Sequence, residues 1–253
     1  MSEQLEGRNP VIECLLRKRR RMHKVLVDDR ARPDEKLDTL YRLAAEAGVP
    51  VLPTPRQKLD KMCEGRLHNG VVGLADDLPS WTARQLVDNV FDEGKQPFFV
   101  LADEISYEHN LGALLRSGLG FGVDGLFLPT RRGAETSSVV QRVAMGAAEV
   151  VPVVREGLSS ALKPIRDSGI RVVGADMGGT PLNKVRLTGA IALVLGGEGK
   201  GLSPTLRQRC DEIVSIPLAG GLESLNVSVA GAILMYEKRR QDGWFEAGRT
   251  VEG

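Results

Sequence analysis

The chain has 253 residues, 42% hydrophobic and 26% charged, with a net charge of +1, which is enough apolar material for a sizeable core in one large domain or two small ones. Near-neutral charge excludes a nucleic-acid binder that works by bulk charge, while leaving a local basic patch open. No apolar run reaches the length of a membrane span, the N-terminus lacks a signal-peptide core, and three scattered cysteines (Cys14, Cys63, Cys210) argue against a disulfide framework and show no metal-ligand spacing, so a soluble, cytoplasmic protein is expected.

In chain order, Asn9-Pro10 has the form of a helix N-cap followed by Pro at the first helical position. That helix is expected to run through Val11, Leu15 and Leu16 into Arg17-Lys18-Arg19-Arg20-Arg21. "HKVLVDD" reads as a strand, "DEKLDTLYRLAAEAG" as a helix closed by Gly48, "VPVLP" as a strand, "PRQKLDKMCEG" as a helix and "NGVVGLAD" as a strand. Residues 1–76 thus read as a small α/β domain. Residues 77–96 are polar with an amphipathic middle and read as a linker with one helix. Residues 97–253 read as a second domain in which strands and helices alternate, from the buried strand "PFFVLAD" to a last helix beginning near Val227. Such alternation implies an α/β fold with a mainly parallel sheet covered on both faces, and ligands in such sheets bind at the carboxyl ends of strands.

Two glycine-rich stretches are decoys. Gly120 to Gly125 match G-x-G-x-x-G, but a helix precedes and a strand follows, the reverse of a dinucleotide site. "LGGEGKGLS" lacks the spacing of a phosphate-binding P-loop, because Lys200 is followed by Gly201. It leaves a loop after a buried strand with one acid, Glu198. Three further polar positions stand out. Asn110 sits at a helix start, where it is either a cap or part of a site. Arg116, six residues on, is either a snorkelling surface arginine or a substrate contact. Ser224, Asn226 and Ser228 crowd the start of the last helix, where one cap would suffice.

Taken in order, Asn-x-Gly-x-x-x-Arg, Leu-Gly-Gly-Glu-Gly-x-Gly and Ile-Pro-Leu-x7-Asn-Val-Ser resemble the three motif blocks of the SpoU/TrmH branch of the SPOUT superfamily, the RNA ribose 2′-O-methyltransferases. The resemblance runs from about residue 97 to 240. Residues 1–76 resemble the small RNA-binding domain that precedes the catalytic domain in ribosomal-RNA members, and the layout is closest to those that methylate a guanosine of bacterial 23S rRNA.

The resemblance implies a SPOUT domain with a C-terminal trefoil knot, S-adenosylmethionine as cofactor, no metal, and a homodimer formed through the knot region. It implies cofactor contacts at Gly174, Ala175, Gly196, Ile216 and Leu225, and a catalytic group of Asn110, Arg116, Glu198, Ser224 and Asn226. Arginine is locked in its charged form, so Arg116 is expected to hold an RNA phosphate and stabilise the developing alkoxide. Glu198 and Asn226 would orient the ribose and Arg116. Glu108 stands where the family usually has Pro. The basic run Arg17, Lys18, Arg19, Arg20 and Arg21 is expected to grip RNA phosphates, with a solvated helix end as the simpler reading. Competing readings are a tRNA methyltransferase of the same branch, a non-catalytic RNA-binding assembly or resistance factor, and a dinucleotide oxidoreductase.

Overall fold

The computed structural model describes residues 2–130, 134, 137–197 and 201–245. They form two compact units, one of Met1–Pro79 with Glu135–Val150, the other of Ser80–Ala134 with Val151–Gly253.

The first unit has a four-stranded sheet built from β1 (Ser2–Glu6), β2 (Met22–Asp28), β3 (Val51–Thr54) and β4 (Val71–Asp76), in the order β1-β4-β2-β3. β4 is antiparallel to both neighbours, and β2 and β3 are parallel. The sequence "SEQLE" gives β1 no strand signature. Its polar residues are satisfied within the unit instead: Gln4 donates to the Met62 carbonyl, and fully buried Glu6 accepts two bonds from Arg66 Nε and one from Nη2.

Helices α1 (Arg8–Arg17) and α2 (Glu35–Glu46) cover one sheet face, where Leu5, Val11, Leu15, Val25, Leu40 and Val71 form a core. On the other, α3 (Arg56–Met62) brings Leu59 against Leu26 and Val72. Asp34 caps α2 by accepting from Leu37 N at 3.0 Å. The start of α1 differs from the expected Asn9 cap. Gly7, at φ 108°, turns the chain out of β1, the helix begins at Arg8, and Pro10 falls within its first turn.

The end of α1 differs more. Lys18 is left-handed, at φ 51°, and closes the helix on the Cys14 carbonyl, so only Arg17 of the basic run lies on the helix and the rest lies beyond it. Arg20 is buried and pairs with both Glu3 and Glu149. Arg19 donates to the Glu149 and Val150 carbonyls at 3.0 and 3.2 Å, and Arg17 pairs with Glu13. Glu149 arrives on the segment that follows α6 (Ser138–Val143), and Gln141, on α6 itself, donates to Glu3. Gly146 lies so close to α1 that a Cβ there would be 2.5 Å from Glu13 Cγ. Burial raises the pKa of the Glu149 carboxyl against the pull of Arg20, and pushes the Cys14 thiol beside it up to about 12.

The second unit holds a six-stranded sheet of β5 (Phe98–Ala102), β6 (Gly125–Leu128), β7 (Val153–Arg155), β8 (Arg171–Pro181), β9 (Ile191–Leu195) and β10 (Glu212–Ser215), in the order β10-β8-β9-β5-β6-β7. Every neighbouring pair is parallel, as the alternation of strands and helices implied. The stretch expected to be a linker contains α4 (Ala83–Asp92), opened by a Thr82/Gln85 capping box. It is part of the core rather than a spacer. Leu86, Val87 and Val90 pack with Phe99 and Phe127 and with Leu158, Leu162 and Ile165 of α7 (Leu158–Asp167), and Gly125 leaves room for Leu86.

The opposite face is covered by α5 (Glu108–Gly120) and α9 (Val227–Gln241), and the short α8 (Pro204–Arg207) precedes β10. α9 buries Val227, Gly231, Leu234, Met235 and Lys238, a single helical stripe. Gly231 permits its close approach, since a Cβ there would be 2.6 Å from Leu114 on α5 and 3.0 Å from Leu195 on β9. Buried Lys238 donates to the Gly189 carbonyl, pairs with Asp242 and lies over the Phe98 ring. Among the described residues no helix is long and apolar enough to cross a membrane.

Candidate active site

The carboxyl ends of β8, β9 and β10 converge on a cavity of about 600 Å³. Its walls come from the middle of β8, where its pairing with β9 ends (Ala175, Asp176, Met177), the end of β9 and its loop (Leu195, Gly196, Gly197, Gly201), the end of β10 (Val214, Ser215, Ile216, Leu218), the approach to α9 (Glu223 to Val227, and Ala230) and the start of α5 (Tyr107, Asn110). This is where ligands bind in parallel sheets.

Each wall has a local cause. β8 pairs with β9 as far as Ala175 opposite Leu195. Its pairing with β10 then jumps, from Ile213 opposite Gly174 to Val214 opposite Thr180. The intervening residues have no partner on β10. Gly179 is pressed so tightly on it that a Cβ would be 2.6 Å from the Ile213 carbonyl oxygen, and Ser215 Oγ donates to the Gly179 carbonyl at 2.9 Å. The loop after β9 is pinched at its base, where Gly197 N donates to the Gly201 carbonyl at 3.1 Å. Gly196 is needed there because a Cβ would sit 2.3 Å from the Gly201 carbonyl carbon. Backbone lies open to the cavity at this point, as recognition by N–H and C=O groups requires.

The polar surplus before α9 resolves into one cap and one bridge. Asn226 is the N-cap, and its Oδ1 accepts from Ser228 N at 2.9 Å and Ser228 Oγ at 2.7 Å. Its Nδ2 donates to Asn110 Oδ1 at 3.0 Å, joining two motif blocks 116 residues apart. Asn110 itself is not a cap. α5 begins at Glu108 after Tyr107, and Asn110 lies inside its first turn. Glu108 takes the first helical position, where Pro is tolerated and where an acid suits the helix dipole.

Of the residues singled out from the sequence, the cavity wall brings together Asn110, Ala175, Gly196, Ile216, Ser224, Leu225 and Asn226. Gly174 stands behind the wall, buried, where a Cβ would meet Leu202 at 2.6 Å and Cys210 at 2.7 Å. Arg116 is exposed on α5 and does not line the cavity. Six residues of helix put it about 9 Å along the axis from Asn110. Glu198 lies outside the described residues. Tyr107, Asp176, Met177, Leu218 and Glu223 line the cavity without having been singled out. Asp176 had a usable signal as the first charged residue after the buried strand "IRVVGA". Among the described residues, no group of three His, Cys, Asp or Glu side chains is placed to hold a metal ion.

Comparison with known proteins places two family models on the chain. The SpoU rRNA Methylase family matches residues 97–236, and RNA 2′-O ribose methyltransferase substrate binding matches residues 4–81. An uncharacterized tRNA/rRNA methyltransferase of Mycobacterium ulcerans is 41% identical over 244 residues, covering 95% of this chain and 77% of its own length. Among solved structures, the SpoU methyltransferase AviRb from Streptomyces viridochromogenes, in complex with AdoMet, aligns with a TM-score of 0.78 at 23% identity, covering 95% of this chain and 90% of its own, a likeness of fold. The A. aeolicus TrmH/SpoU tRNA modifying enzyme aligns over 64% of this chain and 86% of its own, with a TM-score of 0.54 at 25% identity.

Proposed function

The chain belongs to the SpoU rRNA methylase family of RNA methyltransferases, and from that premise we propose that it transfers a methyl group from S-adenosylmethionine to a ribose 2′-hydroxyl, on a guanosine of 23S rRNA. The carrying observation is the cavity at the ends of β8, β9 and β10, with open backbone at Gly196 and the Asn110–Asn226 bridge at its rim.

The residues present fit the cofactor. An adenosyl group needs a cleft of a few hundred Å³ with backbone donors and acceptors along it. The cavity provides such a cleft at Gly196, Ile216 and Leu225, with Ala175 beside them. When bound, the sulfonium supplies the methyl group. A deep knot in this part of the chain belongs to the same reading, and the jump in the β8–β10 register and the tight seat of Gly179 on Ile213 are compatible with it.

The protein's contribution is to position the hydroxyl and stabilise its charge. Asn226, fixed by Ser228 and Asn110, would orient the ribose. Arg116, exposed beyond the rim, would hold a phosphate of the same RNA and stabilise the negative charge that develops on the oxygen as the hydroxyl proton passes to solvent water. Glu198 would assist in orienting the ribose. Much of the acceleration would come from holding two substrates in register.

The substrate-binding match over residues 4–81 favours rRNA, because the tRNA modifying enzyme aligns over only 64% of this chain. Of the basic run, Arg17, Lys18 and Arg21 are exposed for phosphate contacts, Arg17 while paired with Glu13. A homodimer formed through the C-terminal part of the second unit is included. Exposed Val229 and Tyr236 on α9 and Leu222 before it are apolar side chains that a second copy would cover. Such an enzyme would work in the cytoplasm, on ribosomal RNA.

The test is transfer of labelled methyl from S-adenosylmethionine to unmodified 23S rRNA, 16S rRNA and tRNA, followed by alkaline hydrolysis. A 2′-O-methyl group blocks cleavage at the next phosphate. Label in alkali-resistant dinucleotides of 23S rRNA is the expected result. Label confined to tRNA would overturn the rRNA assignment, and no label in any RNA would favour a non-catalytic binding protein.

A further inference from the structure

Asp176 brings a carboxylate to the cavity wall, and it is held more firmly than an ordinary surface acid. It directly follows Ala175, the last β8 residue paired with β9, at the carboxyl end of that strand pair. Its Oδ1 accepts from Met177 N at 2.8 Å, its Oδ2 pairs with Arg207 of α8, and its side chain is only 16% exposed. The glycine loop returns directly onto it. Gly201 has φ +65°, and a Cβ there would lie 2.6 Å from Asp176 Oδ1. Strand end, helix and loop thus fix one carboxylate against the cavity.

A carboxylate has about four acceptor positions. One N–H and one guanidinium leave capacity on both oxygens. The pairing with Arg207 also decides what kind of donor suits that capacity. Arg207 already offsets the negative charge, so a cationic group gains little there, whereas a neutral hydroxyl still gains a well-oriented, charge-assisted hydrogen bond. A fixed acid at the end of a parallel strand, beside a glycine loop, is a general solution for holding a ribose diol.

Given the cofactor reading above, on which this rests, we propose that Asp176 accepts hydrogen bonds from the ribose hydroxyls of the adenosyl group, with Arg207 as the positioning residue that fixes it. The bond is made to a part of the molecule shared by S-adenosylmethionine and S-adenosylhomocysteine. Asp176 therefore sets affinity for both and does not tell substrate from product.

The experiment is calorimetric binding of S-adenosylmethionine, S-adenosylhomocysteine and the 2′-deoxy and 3′-deoxy analogues of the latter, to the wild-type protein and to Asp176→Ala, Asp176→Asn and Arg207→Ala. The wild type is expected to lose about tenfold or more in affinity when a contacted hydroxyl is removed, the usual scale for a hydrogen bond to a charged group. Asp176→Ala is expected to weaken both natural ligands by the same factor and to bind the deoxy analogue as well as the parent. Asp176→Asn should retain part of the discrimination, and Arg207→Ala should lose less than Asp176→Ala. Full discrimination in Asp176→Ala, or weakening of S-adenosylmethionine alone, overturns the proposal. So does a wild type indifferent to both hydroxyls, a result independent of whether any variant folds. A wild type that binds neither natural ligand removes the cofactor reading itself, and this proposal with it.

Discussion

Two polar clusters, one in each unit, teach opposite lessons about what a polar motif is for. Around Arg20 the charges are matched and mostly buried: buried Glu149 and half-buried Glu3 pair with one guanidinium, and Gln141 donates to Glu3. Around Asn226 the groups are short, uncharged and accessible, and they face a cavity. In sequence the ranking is reversed. Five consecutive basic residues invite a nucleic-acid reading, while Ser, Asn and Ser before a helix invite a cap. Charge in a sequence has no address until its counter-charges are located, and the partner of Arg20 lies 129 residues away.

The comparison can be broken most forcefully at Glu149. Glu149→Ala leaves Arg20 buried beside Glu3 alone, and about 3–5 kcal/mol of unfolding free energy should be lost, measured by urea denaturation. Tighter RNA binding in that variant would instead mean that the run is a phosphate grip released by the mutation.

Arg116→Ala addresses the other cluster. It should preserve fold and cofactor affinity while lowering methyl transfer about 10²–10³-fold, the scale for losing one group that stabilises developing charge. Single-turnover kinetics beside calorimetry separate the two, and wild-type turnover would remove Arg116 from the mechanism.

A smaller effect is expected at Gly196→Ala. Its Cβ would meet the Gly201 backbone, which cannot rotate aside, so the loop must shift at about 1–3 kcal/mol. Affinity for S-adenosylmethionine should fall about tenfold or more, with RNA binding unchanged. Equal loss of both would mean the cavity and the RNA face are not separable.

The smallest effect concerns Asp34. The bond from Leu37 N and the pairing with Arg8 hold its pKa below the usual carboxylate value. A depressed acid contributes stability above its unfolded pKa and loses it as pH falls through the folded one. Asp34→Ala should therefore be slightly less stable than wild type at neutral pH, with the gap closing in acid, as thermal melts across pH would record.

Legibility followed the physics of each element. The strands β5 and β9 are apolar throughout because both faces are covered, so they were readable. β1 was not, because its register is set by pairing to β4 and its polar side chains are satisfied by Arg66 and the Met62 carbonyl. α4 was readable as a helix but its packing was not, since its partners on α7 come some 70 residues later. In the site, Asn110, Gly196, Ile216, Leu225 and Asn226 were visible as motif residues. Asp176 belongs to no motif block, so its one signal was its place after a buried strand, and the approach of Gly201 that sets it apart exists only in the fold.

The segment bearing Glu149 runs between β6 and β7, two adjacent strands of the second unit, yet it is built into the first. The peptide chain therefore passes from one unit to the other three times. A gene cut after residue 79 would not release a self-sufficient binding module. It would yield a fragment with a hole where Val140, Ala147 and Ala148 belong and a stranded guanidinium at Arg20. A synthetic peptide spanning 134–151 should restore that fragment by complementation, as a split protein is rejoined. Insertions and fusions intended to exchange RNA specificity would have to carry both pieces.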